Sequence, residues 1–481
     1  MITFSAPLFH SNHDVLNCAF RIAVGDLFSN IVPYRSGLLG SPQPTLMAGL
    51  DYESPWTRDA AINCWNGGSL LVPEAARNTL LGVLEQDGDG CIRVGGQYWD
   101  RVIWISGAWH HYLVTGDQEF LGIAAAGARA TLVQHETEEF DPTVGLFRGA
   151  ACFQDGVSGY PDRYARANGS SDIRDWVLAN PDRRSPKGFG LPMMACSTNC
   201  LYFAAYRDAA KIVEALGQPG AEDYRKKAGA LRESIIAHFW DGTAGRMNYL
   251  FDDEGMCYHQ EGLGSAFSLL FEIAGNEKAR RILENQHITA HGIPCVWPTF
   301  DRYRTADGMG FGRHSGTVWP HVQGFWAEAA ARHGRTDLLY LELMSLAGKA
   351  ARDAQFTEIY HPLTGEIYGG RQERLSRGSI EEWPSCRRQT WSATALFRMV
   401  LHGVIGMCFA EDGIRFEPQL AFPVNELTLN ELNYRNASLS LCLTGTGAKI
   451  RRFEVNGQSR QEAAIAANES GKLDIRIELA D

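Results

Sequence analysis

The stretch Val102-Ile-Trp-Ile-Ser-Gly-Ala-Trp-His-His-Tyr-Leu-Val-Thr-Gly-Asp117 reads as one helix, its stop, and the cap of the next. Val102, Ile105, Trp109 and Tyr112 recur at helical spacing and predict an apolar stripe. Gly116 offers the left-handed backbone that ends a helix, and Asp117 offers an oxygen to cap the following one. The same punctuation returns at Leu216-Gly217, at Ala274-Gly275-Asn276 and at His333-Gly334-Arg335-Thr336-Asp337. A glycine stop followed by an N-cap joins antiparallel helices through a tight turn. The repetition therefore predicts stacked helical hairpins from about residue 56 to about residue 405.

No repeated motif accompanies these hairpins, which argues against a consensus solenoid. Between the tight turns lie long irregular segments, 40–56, 140–190, 290–318 and 353–388, rich in Gly, Pro, Arg and aromatics. Long loops in a compact domain are usually functional. Tight turns at one end and long loops at the other describe an α/α barrel with a pocket at the loop end. After about residue 405 the text alternates apolar and polar residues, as in Gly413 to Glu417, Leu427 to Leu429, Ala437 to Leu443 and Ile450 to Val455. This predicts a small antiparallel β module over 406–481 with a structural role, appended to a helical catalytic domain over 1–405. Within that domain, residues 1–50 form an N-terminal extension, in which Phe20 to Phe28 fits a first helix or an edge strand.

The 481 residues are 45% hydrophobic and 21% charged, enough for one large core or two domains. The net charge of −11 argues against nucleic acid or an anionic membrane as partner and is compatible with a neutral substrate. Eleven cysteines, odd in number and scattered, do not read as a disulfide framework, and Cys196-x-x-x-Cys200 has no second pair with which to build a zinc site. The N-terminal ten residues lack a basic stretch and a long apolar run, so a soluble, cytoplasmic protein is expected, in which the sequons at Asn168, Asn436 and Asn468 carry no meaning. The oligomeric state is not legible.

Three loops carry chemistry. In Phe356-Thr357-Glu358-Ile359-Tyr360-His361-Pro362-Leu363-Thr364-Gly365, His-Pro forces the chain out of helix and Thr-Gly turns it. Glu358 is thereby hung on a short, stiff loop. In Ser54-Pro55-Trp56-Thr57-Arg58-Asp59, at a helix start, guanidinium donors beside carboxylate acceptors suit vicinal hydroxyls, and Trp56 offers a face to a sugar ring. In Phe147 to Tyr164 two carboxylates compete. Asp155, between Phe153 and Gly156 with no adjacent cation, suits a raised pKa. Asp162, beside Arg163, suits an ion pair. Tyr98-Trp99-Asp100 makes an aromatic cluster at another helix start, and His314, Trp319 and Trp391 are further candidates to line the pocket.

These segments resemble clan G glycoside hydrolases, such as family 63 and the glucosidase part of debranching enzymes. The Glu358 loop resembles their E-x-Y-N-P-x-T-G segment. Trp56 to Asp59 resembles their W-x-R-D. Phe153-Gln-Asp155-Gly resembles the general-acid segment of debranching-type glucosidases, whereas Ser158-Gly-Tyr-Pro-Asp162-Arg resembles the S-G-x-D of trehalases and family 63 with one extra residue. Gln389-Thr390-Trp391-Ser392-Ala393 resembles the F-G-W-S/T-A segment that follows the base.

The resemblance implies an (α/α)6-barrel glycosidase that inverts an α-glycoside, most simply an α-glucoside or related oligosaccharide. Glu358 is its base and Asp155 its acid, with Asp162 the alternative. Trp56, Arg58, Asp59, Trp99, Asp100, His314, Trp319 and Trp391 bind the substrate. Such chemistry needs no metal or organic cofactor. The competing readings are a glycoside phosphorylase, a non-catalytic glycan-binding protein, and a sugar epimerase in which His291, His314 and His321 would have to converge.

Overall fold

A computed structural model describes residues 6–165, 170–374 and 379–480. The sequon residue Asn168 lies outside them. The chain begins with strand β1 (Leu8–Ser11) and helix α1 (Asp14–Ser29), so Phe20 to Phe28 is helical. The helices that build the body then follow in order. They are α2 (Thr57–Asn63), α3 (Pro73–Gly82), α4 (Ile103–Thr115), α5 (Gln118–Glu138), α6 (Cys196–Ala215), α7 (Ala221–Phe239), α8 (Gly262–Leu270), α9 (Gly275–Asn285), α10 (Pro320–Arg332), α11 (Thr336–Asp353) and α12 (Thr390–Arg398).

Odd and even helices differ in composition, and that difference sorts them in space. Every residue of α8 and α12 is buried, as is every residue of α4 except its last and of α10 except Arg332. The amphipathic stripe expected on α4 is therefore exceeded, because a helix that is apolar all round is enclosed on all sides. By contrast α7 buries only Ala228, Leu231, Ile235 and Phe239, and α9 only Ala279, Ile282 and Leu283. Each even-numbered helix packs on the next even one, and α12 packs back on α2. The odd-numbered helices cover them, with α1 lying on α11 and α12.

The turns are built as their sequences require. Gly116 closes α4 with φ 71°, and the Asp117 side chain accepts the Phe120 N–H at 2.9 Å at the start of α5. Gly217, Gly275 and Gly334 also take positive φ.

Beyond the helices, strands β2 (Glu426–Tyr434), β3 (Ala437–Thr444), β4 (Lys449–Val455), β5 (Gln458–Ser459) and β6 (Gly471–Ala480) join β1. They form a sheet in the order β1-β2-β3-β6-β4-β5. Two features correct the expected antiparallel module. β3 and β6 run parallel, because the long excursion between them lets the chain return in the same direction. The edge strand is β1, from the opposite end of the chain. Leu16, Phe20, Phe397, Leu427 and Ile475 share one apolar core, so both termini help to hold the last helices in place.

All eleven cysteines are free thiols, and Cys196 and Cys200 are buried at the start of α6. No described helix is long and apolar enough to cross a membrane.

Candidate active site

The first turns of α2 and α12 and the segments that precede α2, α6, α10 and α12 bring their side chains to one cavity of about 390 Å³. Its lining includes Trp56, Arg58, Asp59, Phe153, Asp155, His314, Trp319, Glu358 and Trp391.

Glu358 is 2% exposed, so its carboxyl needs partners. Arg313 Nη2 donates to its Oε2 at 2.6 Å and Tyr52 Oη donates to Oε1 at 2.7 Å. Its backbone N–H donates to the Cys386 carbonyl at 3.0 Å, which ties the loop across the mouth of α12. Burial and the adjacent Glu358 charge push the Tyr52 phenol up, so it remains a donor. Arg313 itself is fixed by the carbonyls of Gly369 and Pro384, at 2.9 and 3.0 Å.

Asp155 is more open, with 34% of its side chain exposed. Arg58 Nη2 and Gln97 Nε2 both donate to its Oδ2, at 2.9 and 3.1 Å. Burial alone would raise its pKa. The charge of Arg58 and the hydrogen bonds from Gln97 and Arg58 outweigh burial and hold it at about 2. This corrects the expectation of a raised value. The cation that sequence neighbourhood lacked arrives from 97 residues away.

Asp59 behaves oppositely. It is 3% exposed, and burial drives its pKa well above the usual carboxylate range although Arg58 is adjacent. Gln389 Nε2 donates to its Oδ1 at 3.3 Å.

Two expected pocket walls lie elsewhere. Trp99 is fully buried beneath the site, its indole N–H given to the Ala151 carbonyl at 3.0 Å. Asp100 is 1% exposed and accepts the backbone N–H of Phe153 at 2.8 Å, with Arg58 Nη1 4.0 Å away. It supports the loop rather than facing the cavity, and burial lifts it to about 6 against the pull of Arg58.

That support has a purpose. Phe153 has φ 59°, and Trp56 and Arg388 each have φ 45°. Bulky residues avoid this region at a cost of about 1–3 kcal/mol each, and such strain gathers at functional sites. The Phe153 ring is wedged between Trp319 at 5.0 Å and His321 at 4.4 Å, which fixes the turn that delivers Asp155.

Asp162 does not line the cavity. It lies on the outside of its loop and pairs with Arg302 at 2.8 Å. Among the three histidines, only His314 lines the cavity. His321 is buried against Trp391, and His291 lies beside Lys349. The convergence that an epimerase would require is absent among the described residues.

Tyr52, Gln97 and Arg313 were not singled out by the sequence. Each stands within four residues of a recognised motif, which is the one signal that could have found them. Nothing in a linear reading says which neighbour turns inward.

A family model for a mannosylglycerate hydrolase MGH1-like glycoside hydrolase domain matches residues 102–392. No curated protein matches the chain. Among solved structures, a sialidase superposes with a TM-score of 0.69 at 15% identity, covering 96% of this chain and 41% of its own. A family 63 mannosylglycerate hydrolase from Thermus thermophilus, in complex with glucose, superposes with a TM-score of 0.56 at 16% identity, covering 79% and 99%. A family 78 rhamnosidase from Bacillus sp. GL1 gives 0.57 at 14% identity, covering 100% and 44%. At such identities the likeness is one of fold. The chain spans less than half the length of the sialidase and the rhamnosidase.

Proposed function

The chain belongs to the mannosylglycerate hydrolase MGH1-like glycoside hydrolase domain family, and from that premise we propose that it inverts an α-linked gluco- or manno-configured glycoside, with Asp155 as acid and Glu358 as base. The observation that carries this reading is the shared cavity. Two carboxylates from loops 203 residues apart line it together with the Arg58-Asp59 pair, and each is held by its own arginine. An inverting pair flanks the sugar about 6.5–9.5 Å apart, leaving room for a water. The helices α2, α4, α6, α8, α10 and α12 serve as the inner ring of an (α/α)6 barrel over residues 1–405. The strands within 406–481 form an appended module that borrows β1.

Asp155 gives its proton to the glycosidic oxygen as the bond from that oxygen to the anomeric carbon breaks. Water adds to the anomeric carbon from the opposite face and gives a proton to Glu358. Solvent then returns the proton to Asp155. Trp56, at the rim, supplies a ring face, and Asp59 and Arg58 take the sugar hydroxyls. In the free site Arg58 is engaged by Asp155, which keeps that acid ionised. A sugar hydroxyl that takes over the guanidinium weakens the main influence that holds the proton off, and a ring that excludes water further disfavours the charged carboxylate.

The test is turnover of mannosylglycerate and a panel of α- and β-linked glucosides and mannosides, with the product anomer followed by NMR. Inversion on an α-linked substrate is expected. Retention of configuration overturns the mechanism, and so does full activity in Glu358→Gln.

A further inference from the structure

His314 is 3% exposed and stacks on Trp319 at 5.0 Å. Its ring nitrogens face different partners. Nδ1 lies 3.1 Å from Ser158 Oγ, and Nε2 lies 3.7 Å from Asp155 Oδ1. Ser158, fully buried, gives its single proton to Gln372 Oε1 at 2.8 Å. It also accepts the His314 backbone N–H at 3.0 Å. With its own proton committed, Ser158 Oγ can only accept from Nδ1. A neutral imidazole that donates through Nδ1 has a bare lone pair on Nε2. That lone pair faces an ionised carboxylate oxygen, acceptor against acceptor, at a distance too long for a hydrogen bond. The Nδ1 side is closely packed: a Cβ on Gly156 would come within 2.2 Å of Gln372 Oε1 and 2.5 Å of His314 Nδ1.

We propose that His314 is a positioning residue for the acid: Ser158 and Gln372 lock it as the Nδ1–H tautomer, so that its Nε2 lone pair is satisfied only when Asp155 Oδ1 carries a proton. The inference rests on the reading of Asp155 as acid and deepens it. Arg58 and Gln97 on Oδ2 favour the ionised form, whereas His314 on Oδ1 favours the protonated one. When substrate relieves the first, the second decides. The proton then sits on the carboxyl oxygen that is free of Arg58, and an arriving glycosidic oxygen competes with Nε2 for it. The groups facing the imidazole are Asp155, Arg313, Arg58 and Gln372; burial and the two arginines keep it neutral against the pull of Asp155 and Gln372.

The experiment compares methyl α-glucoside and α-mannoside with the matching glycosyl fluorides, because fluoride departs without being protonated. In His314→Gln, kcat on the methyl glycoside should fall about 100-fold while the fluoride loses less than about threefold, within the range for acid catalysis. The alkaline limb of kcat for the methyl glycoside should move to lower pH by about one unit, since an amide N–H facing Oδ1 favours the carboxylate. Ser158→Ala should repeat the pattern and Ser158→Thr should restore wild-type ratios. Equal losses on both substrates overturn the proposal, as does an Nε2–H tautomer in the imidazole 15N spectrum of the free protein. Asp155→Asn is the separate control. If it spares the methyl glycoside, the acid assignment fails whatever His314 does, and the 15N spectrum still judges the tautomer.

Discussion

The even-numbered helices carry a polar cavity at each end, and the two differ in the sign of charge that predominates. At the N-terminal ends, Asp59, Asp155 and Glu358 are presented to an opening of about 390 Å³. At the C-terminal ends, Arg207 of α6, Arg332 of α10, Arg398 of α12 and Lys211 of α6 surround a second cavity of about 680 Å³. There Glu328 lies 2.5 Å from both Arg332 and Arg398, and Arg398 sits 4.0 Å from the Phe325 ring centroid and 4.7 Å from that of Trp65. Arg207 Nη1 gives a hydrogen bond to the Phe271 carbonyl just past the end of α8. Helix N-termini favour anions and C-termini favour cations. The far cavity follows that rule to close the fold. The near one uses the same rule to hold carboxylates in a wet, strained place. A polar cavity is therefore no mark of chemistry. What distinguishes the near one is carboxylates with opposed protonation, left-handed aromatic backbone and a graded exposure to solvent.

Paired substitutions test that distinction. Glu358→Gln should cut kcat by about 10²–10⁴-fold while the melting temperature holds or rises, read by steady-state kinetics and calorimetry. At the far end, Glu328→Gln leaves Arg398 buried with its charge unanswered and should cost about 3–5 kcal/mol of stability in denaturant titrations, with little change in kcat. A large catalytic loss there would break the comparison.

Arg58→Ala should lower kcat/KM by about 100-fold and raise the pKa of Asp155 from about 2, as followed by carboxyl 13C NMR. The sign follows from linkage. Because the folded value is depressed, Asp155 contributes stability above pH 3.8 that is lost as pH falls towards 2. The variant should show less of that acid-side loss.

The smallest effect concerns Glu261, 2% exposed at the start of α8, where it accepts the Ser197 N–H at 3.1 Å. Burial raises it to about 8 from 4.5. Its contribution is full below pH 4.5 and is lost as pH rises through 8. Glu261→Gln should be more stable than the parent at about pH 9 by on the order of 1 kcal/mol, as judged by thermal melts across pH.

Much of this protein is local and was therefore legible. Gly116 and Asp117 mark a hairpin turn because one glycine conformation and one capping oxygen suffice to make it. Arg58-Asp59 and the Glu358 turn stand out because their geometry is built within a few residues. The strands after residue 405 declared themselves by alternation. The remainder depends on meetings between distant segments, which no linear pattern records. Arg58 reaching Asp155 reversed the expected pKa. Asp162 and Trp99 have suitable neighbours in sequence, yet they face Arg302 and the Ala151 carbonyl in space. β1 joined a sheet made by the other end of the chain. The sequence by itself determined the helical hairpins and the residue types able to do acid–base chemistry, because hydrophobic periodicity and turn chemistry act over short range. Only the tertiary structure decided which carboxylate meets which cation, because electrostatic environment is summed over all neighbours in space.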